Sequence, residues 1–138
     1  MTQTITRSVE ELVAEASKEI RTLSVEEAKD MLGRDDVQFV DVRDVRELAE
    51  TGRIPGARHV PRGLLEFWID PKSPYHKPWL AEDRTFVFYC ALDWRSALAT
   101  RAAQDMGLAP VAHLGGGLKA WQEAGGPVEA PKGKSDKS

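Results

Sequence analysis

The sequence is poor in the side chains that build disulfides and metal sites. Cys90 is the one cysteine among 138 residues, and the three histidines, His59, His76 and His113, lie far apart in the chain. A single cysteine excludes an internal disulfide, and three scattered histidines do not complete the usual four ligands of a zinc site. The thiol is therefore either a buried apolar side chain or a reactive group.

Long apolar runs and a basic excess are also missing. No segment approaches the ~20 apolar residues that a membrane-spanning helix needs, and residues 1–16 lack the apolar core of a secretory signal. The formal net charge of -3 argues against the positively charged surface that binds nucleic acid. These features predict a cytoplasmic protein with neither a membrane nor a nucleic-acid partner.

Two helix starts are marked near the N-terminus. Ser8 and Ser24 each precede a Glu by three residues, which is the pattern of a reciprocal capping box. Together with the polar end of the chain, they divide the sequence into three predicted parts. These parts are an N-terminal helical extension at 1–19, one domain at 20–129 and a polar disordered tail at 130–138.

The predicted domain alternates between strands and helices. Four segments are rich in β-branched and aromatic residues, and these predicted strands are 37–42, 57–60, 84–90 and 110–114. A helix with a small, Ala-rich packing face is predicted from Arg95 to Met106. This alternation is typical of an α/β fold in which helices cover both faces of a mostly parallel sheet.

Cys90 lies where one predicted strand ends and the Arg95 helix begins. In such sheets, ligands bind outside the carboxyl ends of the strands. The N–H groups of the connecting residues and the charge of Arg95 would favour a thiolate at this position. No histidine stands nearby in sequence as a base, so we expect activation by the electrostatic surroundings alone. The competing interpretation is a buried, inert cysteine, which is the common fate of a free thiol in a core.

Three motifs, in order along the chain, resemble the rhodanese-like sulfurtransferases. They are FVDVRDVRELAETGRIPGARHVP at 39–61, CALDWRS at 90–96 and HLGGGLKAWQEAGGPVE at 113–129. The motif CALDWRS resembles the family's active-site loop, with Cys90 followed after four residues by Arg95. The resemblance implies a rhodanese-like fold with a central, mostly parallel five-stranded sheet and helices on both faces.

The resemblance also implies a ping-pong reaction that uses no metal and no organic cofactor. Cys90 would take the outer sulfur of thiosulfate or a persulfide donor and pass it to cyanide or to a thiol acceptor, including a protein thiol. The loop amides would hold the negative charge of the Cys90 persulfide, and the residues concerned are Ala91, Leu92, Asp93, Trp94 and Arg95.

Asp93 departs from the family loop, which usually carries Gly at that position. Glycine adopts a positive φ without steric cost, whereas Asp tolerates it only moderately. A carboxylate beside the sulfur would also disfavour the thiolate and repel an anionic donor. This effect would be avoided if the carboxylate turned outward or paired with Arg95 or another basic residue. With the large Trp94 at the rim, this predicts a bulkier or less anionic donor, and faster thiosulfate turnover in Asp93→Gly.

Other functions remain open from the sequence alone. The domain could be a weakly active or non-catalytic module that binds a protein or senses sulfur. A phosphatase or arsenate reductase is the other alternative. Cysteine-dependent phosphatases use Cys-x5-Arg around a tetrahedral phosphate, whereas four residues separate Cys90 from Arg95, and this shorter ring favours sulfur.

Several charged or aromatic residues have predicted supporting roles. Arg46 or Arg62 would steer an anionic donor toward the site, while Asp41 and Arg43 would form ion pairs at the sheet's edge. Residues 64–80, rich in Pro and aromatics, would pack on the core or form a lid. His113, which leads into the third motif, is the histidine expected nearest the pocket, and the oligomeric state stays undetermined.

Overall fold

A computed structural model describes residues 2–131. Its sheet has five strands, which are β1 Arg21–Leu23, β2 Val37–Asp41, β3 Arg58–His59, β4 Thr85–Tyr89 and β5 Val111–Leu114. They run in the order β1-β5-β4-β2-β3, and all four pairings are parallel. The predicted α/β class is therefore confirmed, and the mostly parallel sheet of the prediction is parallel throughout.

Six α-helices surround the sheet. They are α1 Val9–Glu19, α2 Val25–Met31, α3 Val45–Thr51, α4 Leu65–Ile69, α5 Trp94–Asp105 and α6 Gly117–Glu123. The Ser24 box forms both of its hydrogen bonds with Glu27, whereas the Ser8 side chain accepts from the Glu11 N–H. Both serines therefore begin helices, as the sequence predicts.

Side chains of the strands alternate between two buried clusters on opposite faces of the sheet. Phe39 and Val87 join the cluster that contains Trp121 of α6, while Phe88 joins the cluster that contains Ala99 of α5. Since both faces are covered, the strands carry nearly continuous apolar runs. Because β4 is the middle strand, Cys90 lies at the centre of the edge where the parallel strands end.

Asp41 and Arg43 form the predicted ion pair, but the pair is buried and not exposed. Their side chains are 0% and 2% exposed, and the Arg43 guanidinium donates to both carboxylate oxygens of Asp41. The remaining guanidinium N–H groups donate to Thr51 Oγ1 and the Gly52 carbonyl, both at 2.7 Å. The pair thus ties the end of β2 to the end of α3.

The segments outside the sheet pack in different ways. Helix α1 lies against α5, with Val13 and Ala16 buried between them. In the 64–80 stretch, Trp68 packs against the core while Phe67 is 55% exposed, so neither a wholly packed nor a wholly free segment describes it. The predicted tail falls outside the described residues from 132 onward. Among the described residues, no helix is both long and apolar enough to span a membrane.

Candidate active site

Cys90 follows the last residue of β4 and faces a cavity at the start of α5. The cavity has a volume of about 400 Å³, and residues 90–95 line it. Cys90 itself is 1% exposed, so its sulfur lies at the floor. Helix α5 begins at Trp94, one residue before the predicted start at Arg95.

In the loop that follows Cys90, the carbonyl and N–H groups differ in their hydrogen bonding. The carbonyls of Cys90 and Ala91 accept hydrogen bonds from the N–H groups of Leu118 and Lys119 in α6. Within the described part of the chain, the N–H groups of residues 91–95 donate to no acceptor. Free amides at a helix N-terminus attract negative charge.

Gly117 makes this carbonyl arrangement possible. It has φ +62°, and a Cβ added there would overlap the carbonyl oxygens of Cys90, Ala91 and Leu92. Glycine adopts this left-handed conformation without penalty and leaves room for the close approach. The third sequence motif therefore supports the loop at 90–95 from the side of α6.

Asp93 adopts a conformation that the sequence does not predict. Its φ is -132°, and no described residue other than glycine has a positive φ, so the expected backbone strain is absent. Its Oδ1 accepts the Gly116 N–H at 2.7 Å. The carboxylate thus links the active-site loop to the glycine turn before α6, and does not pair with Arg95.

Arg95 is paired with Glu47 of α3. The guanidinium Nη1 and Nη2 donate to the two carboxylate oxygens at 2.6 and 3.1 Å. This contact, with further attraction from Cys90 and Asp41, raises the pKa of Arg95 above its usual value. In turn, the hydrogen bond from Arg95 lowers the pKa of Glu47. The Glu47 carboxylate therefore fixes the orientation of the Arg95 guanidinium.

A chain of hydrogen bonds runs from the sulfur away from the cavity. Cys90 Sγ lies 3.5 Å from Ser96 Oγ, which lies 3.0 Å from Nδ1 of His113. The other ring nitrogen, Nε2, lies 3.1 Å from Thr22 Oγ1. His113 is thus the histidine nearest the pocket, as expected, but it is reached through Ser96.

Two residues gain roles that the motifs alone do not assign. Ser96 lies in the first turn of α5, six residues after Cys90, so its hydroxyl returns toward the sulfur. Glu47 fits the capping pattern that starts at Asp44: its Oε1 accepts from the Asp44 N–H and from Arg95, and its Oε2 accepts from Arg95 alone. The Asp-x-x-Glu spacing at the first turn of α3 was the available signal for Glu47.

Two exposed apolar side chains lie at the mouth of the cavity, whereas the arginines predicted to steer a donor lie elsewhere. Leu92 and Trp94 are about half exposed at the mouth. Arg46 pairs with Asp44 and Arg62 with Glu66, and neither arginine lines the cavity. Within residues 2–131, no three side chains of His, Cys, Asp or Glu are grouped to hold a metal ion.

Comparisons with known proteins agree on one family. The model of the Rhodanese-like domain matches residues 24–124. A sulfurtransferase of Allochromatium vinosum is 34% identical over 99 residues, covering 72% of this chain and 84% of the relative. A thiosulfate:glutathione sulfurtransferase of Homo sapiens is 32% identical over 109 residues, covering 74% of this chain and 93% of the relative.

A solved structure from Rhodopseudomonas palustris is also similar. It is 54% identical, has a TM-score of 0.91, and the match covers 94% of this chain and 99% of the other. That protein is described as one of unknown function and a possible tyrosine phosphatase. The matched family domain, which contains the loop at 90–95 and the glycine turn behind it, settles the classification. This chain belongs to the family of proteins with a rhodanese-like domain.

Proposed function

We propose that this protein is a sulfurtransferase that carries sulfur as a persulfide on Cys90. The observation that carries the proposal is the loop of residues 91–95, which lines the cavity beside Cys90 and whose amide N–H groups have no described acceptor. Such preorganised donors stabilise developing negative charge without reorganisation. Family membership and the two sulfurtransferase relatives support the same reaction class.

The proposed first step moves one sulfur atom. The Cys90 thiolate attacks the outer sulfur of a donor, the bond from that sulfur to the donor breaks, and the donor leaves with the bonding electrons. With thiosulfate, the products are sulfite and an anionic Cys90 persulfide. The negative charge on the outer sulfur is then stabilised by the N–H groups of residues 91–95, which we call the amide ring, and by the nearby Arg95.

The second step regenerates the enzyme. An acceptor thiolate attacks the outer sulfur, the bond between the two sulfur atoms breaks, and Cys90 leaves as a thiolate. Neither step uses a metal or an organic cofactor. Cyanide would take the same sulfur as thiocyanate, and a thiol would leave as a persulfide.

The rim favours a donor or acceptor larger than thiosulfate. Leu92 and Trp94 expose about half of their surfaces at the mouth, and apolar side chains contribute binding energy to organic or peptide groups. The Asp93 carboxylate adds negative charge beside the opening. We therefore include low-molecular-weight thiols and protein thiols among the partners in this proposal.

A phosphatase is the second candidate, because the similar structure from Rhodopseudomonas palustris is described as a possible tyrosine phosphatase. The loop length argues against it here. Four residues separate Cys90 from Arg95, and the Arg95 fork is already occupied by Glu47. A phosphoryl group needs both the wider ring and a free bidentate arginine.

The test is intact mass measurement after incubation with thiosulfate or glutathione persulfide, followed by cyanide. We expect the parent to gain the mass of one sulfur atom and to lose it with cyanide, while Cys90→Ala gains nothing. An aryl phosphate assay runs in parallel. Sulfur loading that persists in Cys90→Ala, or phosphatase turnover without any loading, would refute the proposal. A parent that loads with neither donor would favour the non-catalytic or sensing module.

A further inference from the structure

Beneath the active site, a buried hydrogen-bonded chain joins Cys90 to the opposite surface. Its members are the Cys90 thiol, the Ser96 hydroxyl, the His113 ring and the Thr22 hydroxyl, with successive separations of 3.5, 3.0 and 3.1 Å. Ser96 and His113 are 0% and 3% exposed, whereas Thr22 lies at the surface. The chain thus crosses from β4 through α5 and β5 to the edge strand β1.

The direction of the chain is constrained by the number of hydrogens available. Ser96 has one hydroxyl hydrogen, and a neutral imidazole donates from one ring nitrogen and accepts at the other. Ser96 Oγ also donates to the Asp93 carbonyl at 3.1 Å, and that oxygen accepts the Ala97 N–H at 2.9 Å with its other lone pair. A hydrogen on Nδ1 of His113 makes that nitrogen a donor to Ser96, which leaves the Ser96 hydrogen for the carbonyl or for the sulfur.

Burial keeps the His113 ring neutral. It lowers the pKa of His113, against the opposing attraction of the Asp93 carboxylate. Asp93 and, through Ser96, Cys90 are the ionisable groups that face the ring among the described residues. A neutral ring between two hydroxyls has two tautomers, and each suits one state of the sulfur.

When Cys90 is a thiol, each hydrogen in this series of hydrogen bonds points away from the sulfur. Cys90 donates to Ser96, Ser96 donates to Nδ1 of His113, and Nε2–H donates to Thr22. With a thiolate or persulfide, every hydrogen bond reverses: Thr22 donates to Nε2, Nδ1–H donates to Ser96, and Ser96 donates to the sulfur. The reversal moves one proton from sulfur to solvent at Thr22, with no net charge on any intermediate member.

We propose that His113 is a positioning residue, which turns the Ser96 hydroxyl toward the anionic sulfur by changing between its two neutral tautomers. This deepens the proposed function and rests on Cys90 being the sulfur carrier. The hydrogen bond from Ser96 adds a side-chain donor to the amide N–H groups of residues 91–95. It also gives the thiol proton an exit when a donor occupies the cavity mouth.

The direct test is nitrogen-15 NMR of the histidine rings, which distinguishes Nδ1–H from Nε2–H. The unloaded parent is compared with Cys90→Ala at pH 6 and pH 9, and the signal of His113 is identified by its loss in His113→Asn. We expect the parent at pH 9 to carry the proton on Nδ1, and Cys90→Ala to carry it on Nε2 at both pH values. The same tautomer in both proteins at pH 9 would overturn the proposal.

A kinetic test uses the variant His113→Asn. Asn at position 113 keeps a group near the Nδ1 position, but it cannot exchange one nitrogen for the other. We expect His113→Asn to slow alkylation of Cys90 by iodoacetamide roughly threefold to tenfold at pH 7, the scale of one ordinary intramolecular hydrogen bond. At pH 10, above the pKa of about 8.5 of an ordinary cysteine, the two rates should converge.

An equal slowing at both pH values would indicate damage to the loop and overturn the inference. Alkylation requires no sulfur donor, so its outcome is separate from that of the loading experiment. A parent that loads sulfur while His113→Asn alkylates like the parent would refute the role of His113 and leave the proposed function standing.

Discussion

At position 93, a carboxylate stands three residues from the sulfur and is turned toward the Gly116 N–H. Its two properties, charge and hydrogen-bond acceptance, have opposite consequences. The charge repels an anionic donor, while the hydrogen bond joins the active-site loop to the turn that precedes α6. Asp93→Gly removes both, so that variant does not separate them.

Asp93→Asn separates the two effects, because the amide keeps an oxygen for Gly116. We expect Asp93→Asn to raise kcat/KM for thiosulfate roughly threefold to tenfold, which corresponds to about 1 kcal/mol of relieved repulsion. Turnover with an uncharged organic persulfide should change less. The check is steady-state kinetics with both donors at low ionic strength, and equal changes for the two donors would contradict a charge effect.

Gly117 is a residue whose absence of a side chain is required by its neighbours. Gly117→Ala would force a Cβ against three loop carbonyls at φ +62°, so we expect a loss of at least about 2 kcal/mol in unfolding free energy and loss of sulfur loading. Gly33→Ala is the matched control, because Gly33 has φ +84° with nothing within 4 Å of the added Cβ. It should lose about 1–2 kcal/mol and retain loading.

Urea unfolding and intact mass measurement compare the two variants. If Gly117→Ala loads sulfur as fast as Gly33→Ala, the glycine turn does not support the loop.

Among the elements, α3 and α5 meet through the Glu47–Arg95 pair. Glu47 completes the capping box of α3 by accepting the Asp44 N–H, and it also holds the Arg95 fork. One carboxylate thus joins the start of α3 to the start of α5. The pair is partly exposed, at 32% and 43%, so its contribution to stability is modest.

Glu47→Gln keeps the capping geometry but removes the charge. Because the folded-state pKa of Glu47 lies below its ordinary value of 4.5, its ionised form stabilises the fold above that pH. The contribution is lost as pH falls through the lowered pKa. We expect the parent to exceed Glu47→Gln in unfolding free energy by up to about 1 kcal/mol at pH 7, with the difference shrinking below pH 4.

Urea unfolding of both proteins from pH 3 to pH 7 checks this. A difference that stays constant across the range would show that the charge of Glu47 is not responsible.

Elements with a strong local pattern could be predicted, and those defined by long-range contacts could not. The strand that ends at Asp41 and the strand that precedes Cys90 are rich in apolar residues, and their predicted positions agree with β2 and β4. Strand β1 has three residues, of which only Leu23 is buried, so it gives no periodic signal and forms by pairing with β5.

The same distinction holds in the candidate site. The placement of Cys90 follows from a strand that ends and a helix that begins, both of which are local. The partners of Arg95 and Ser96 lie on other elements, 48 and 17 residues away in the chain. The sequence has no signal for such side-chain pairs, because they depend on how the helices pack on the sheet.

For the whole molecule, α1 lies before the family match and covers part of α5. Val13 and Ala16 are 8% and 3% exposed, and the Gln104 side chain donates to the Glu19 carbonyl at 2.7 Å. We propose that residues 1–19 form an extension that stabilises a domain at 20–129 without forming its site. None of the residues that line the cavity belongs to α1.

Deletion of residues 1–19 should therefore lower the Tm while sulfur loading at 20 °C persists. In the full chain, Val13→Ala should cost about 1–3 kcal/mol, whereas Leu12→Ala, on the exposed side of α1, should cost less than about 0.5 kcal/mol. Thermal and urea unfolding measure both. Equal losses in the two point variants would contradict the packing of α1 through Val13.

The amide ring around the sulfur is tested most directly by a crystal structure of the protein after incubation with thiosulfate. We predict extra density for one sulfur atom bonded to Cys90 Sγ, within hydrogen-bonding distance of several N–H groups of residues 91–95, with the Cys90 and Ala91 carbonyls still bound to α6. An outer sulfur directed away from these amides, or a loop whose carbonyls turn inward, would contradict the account.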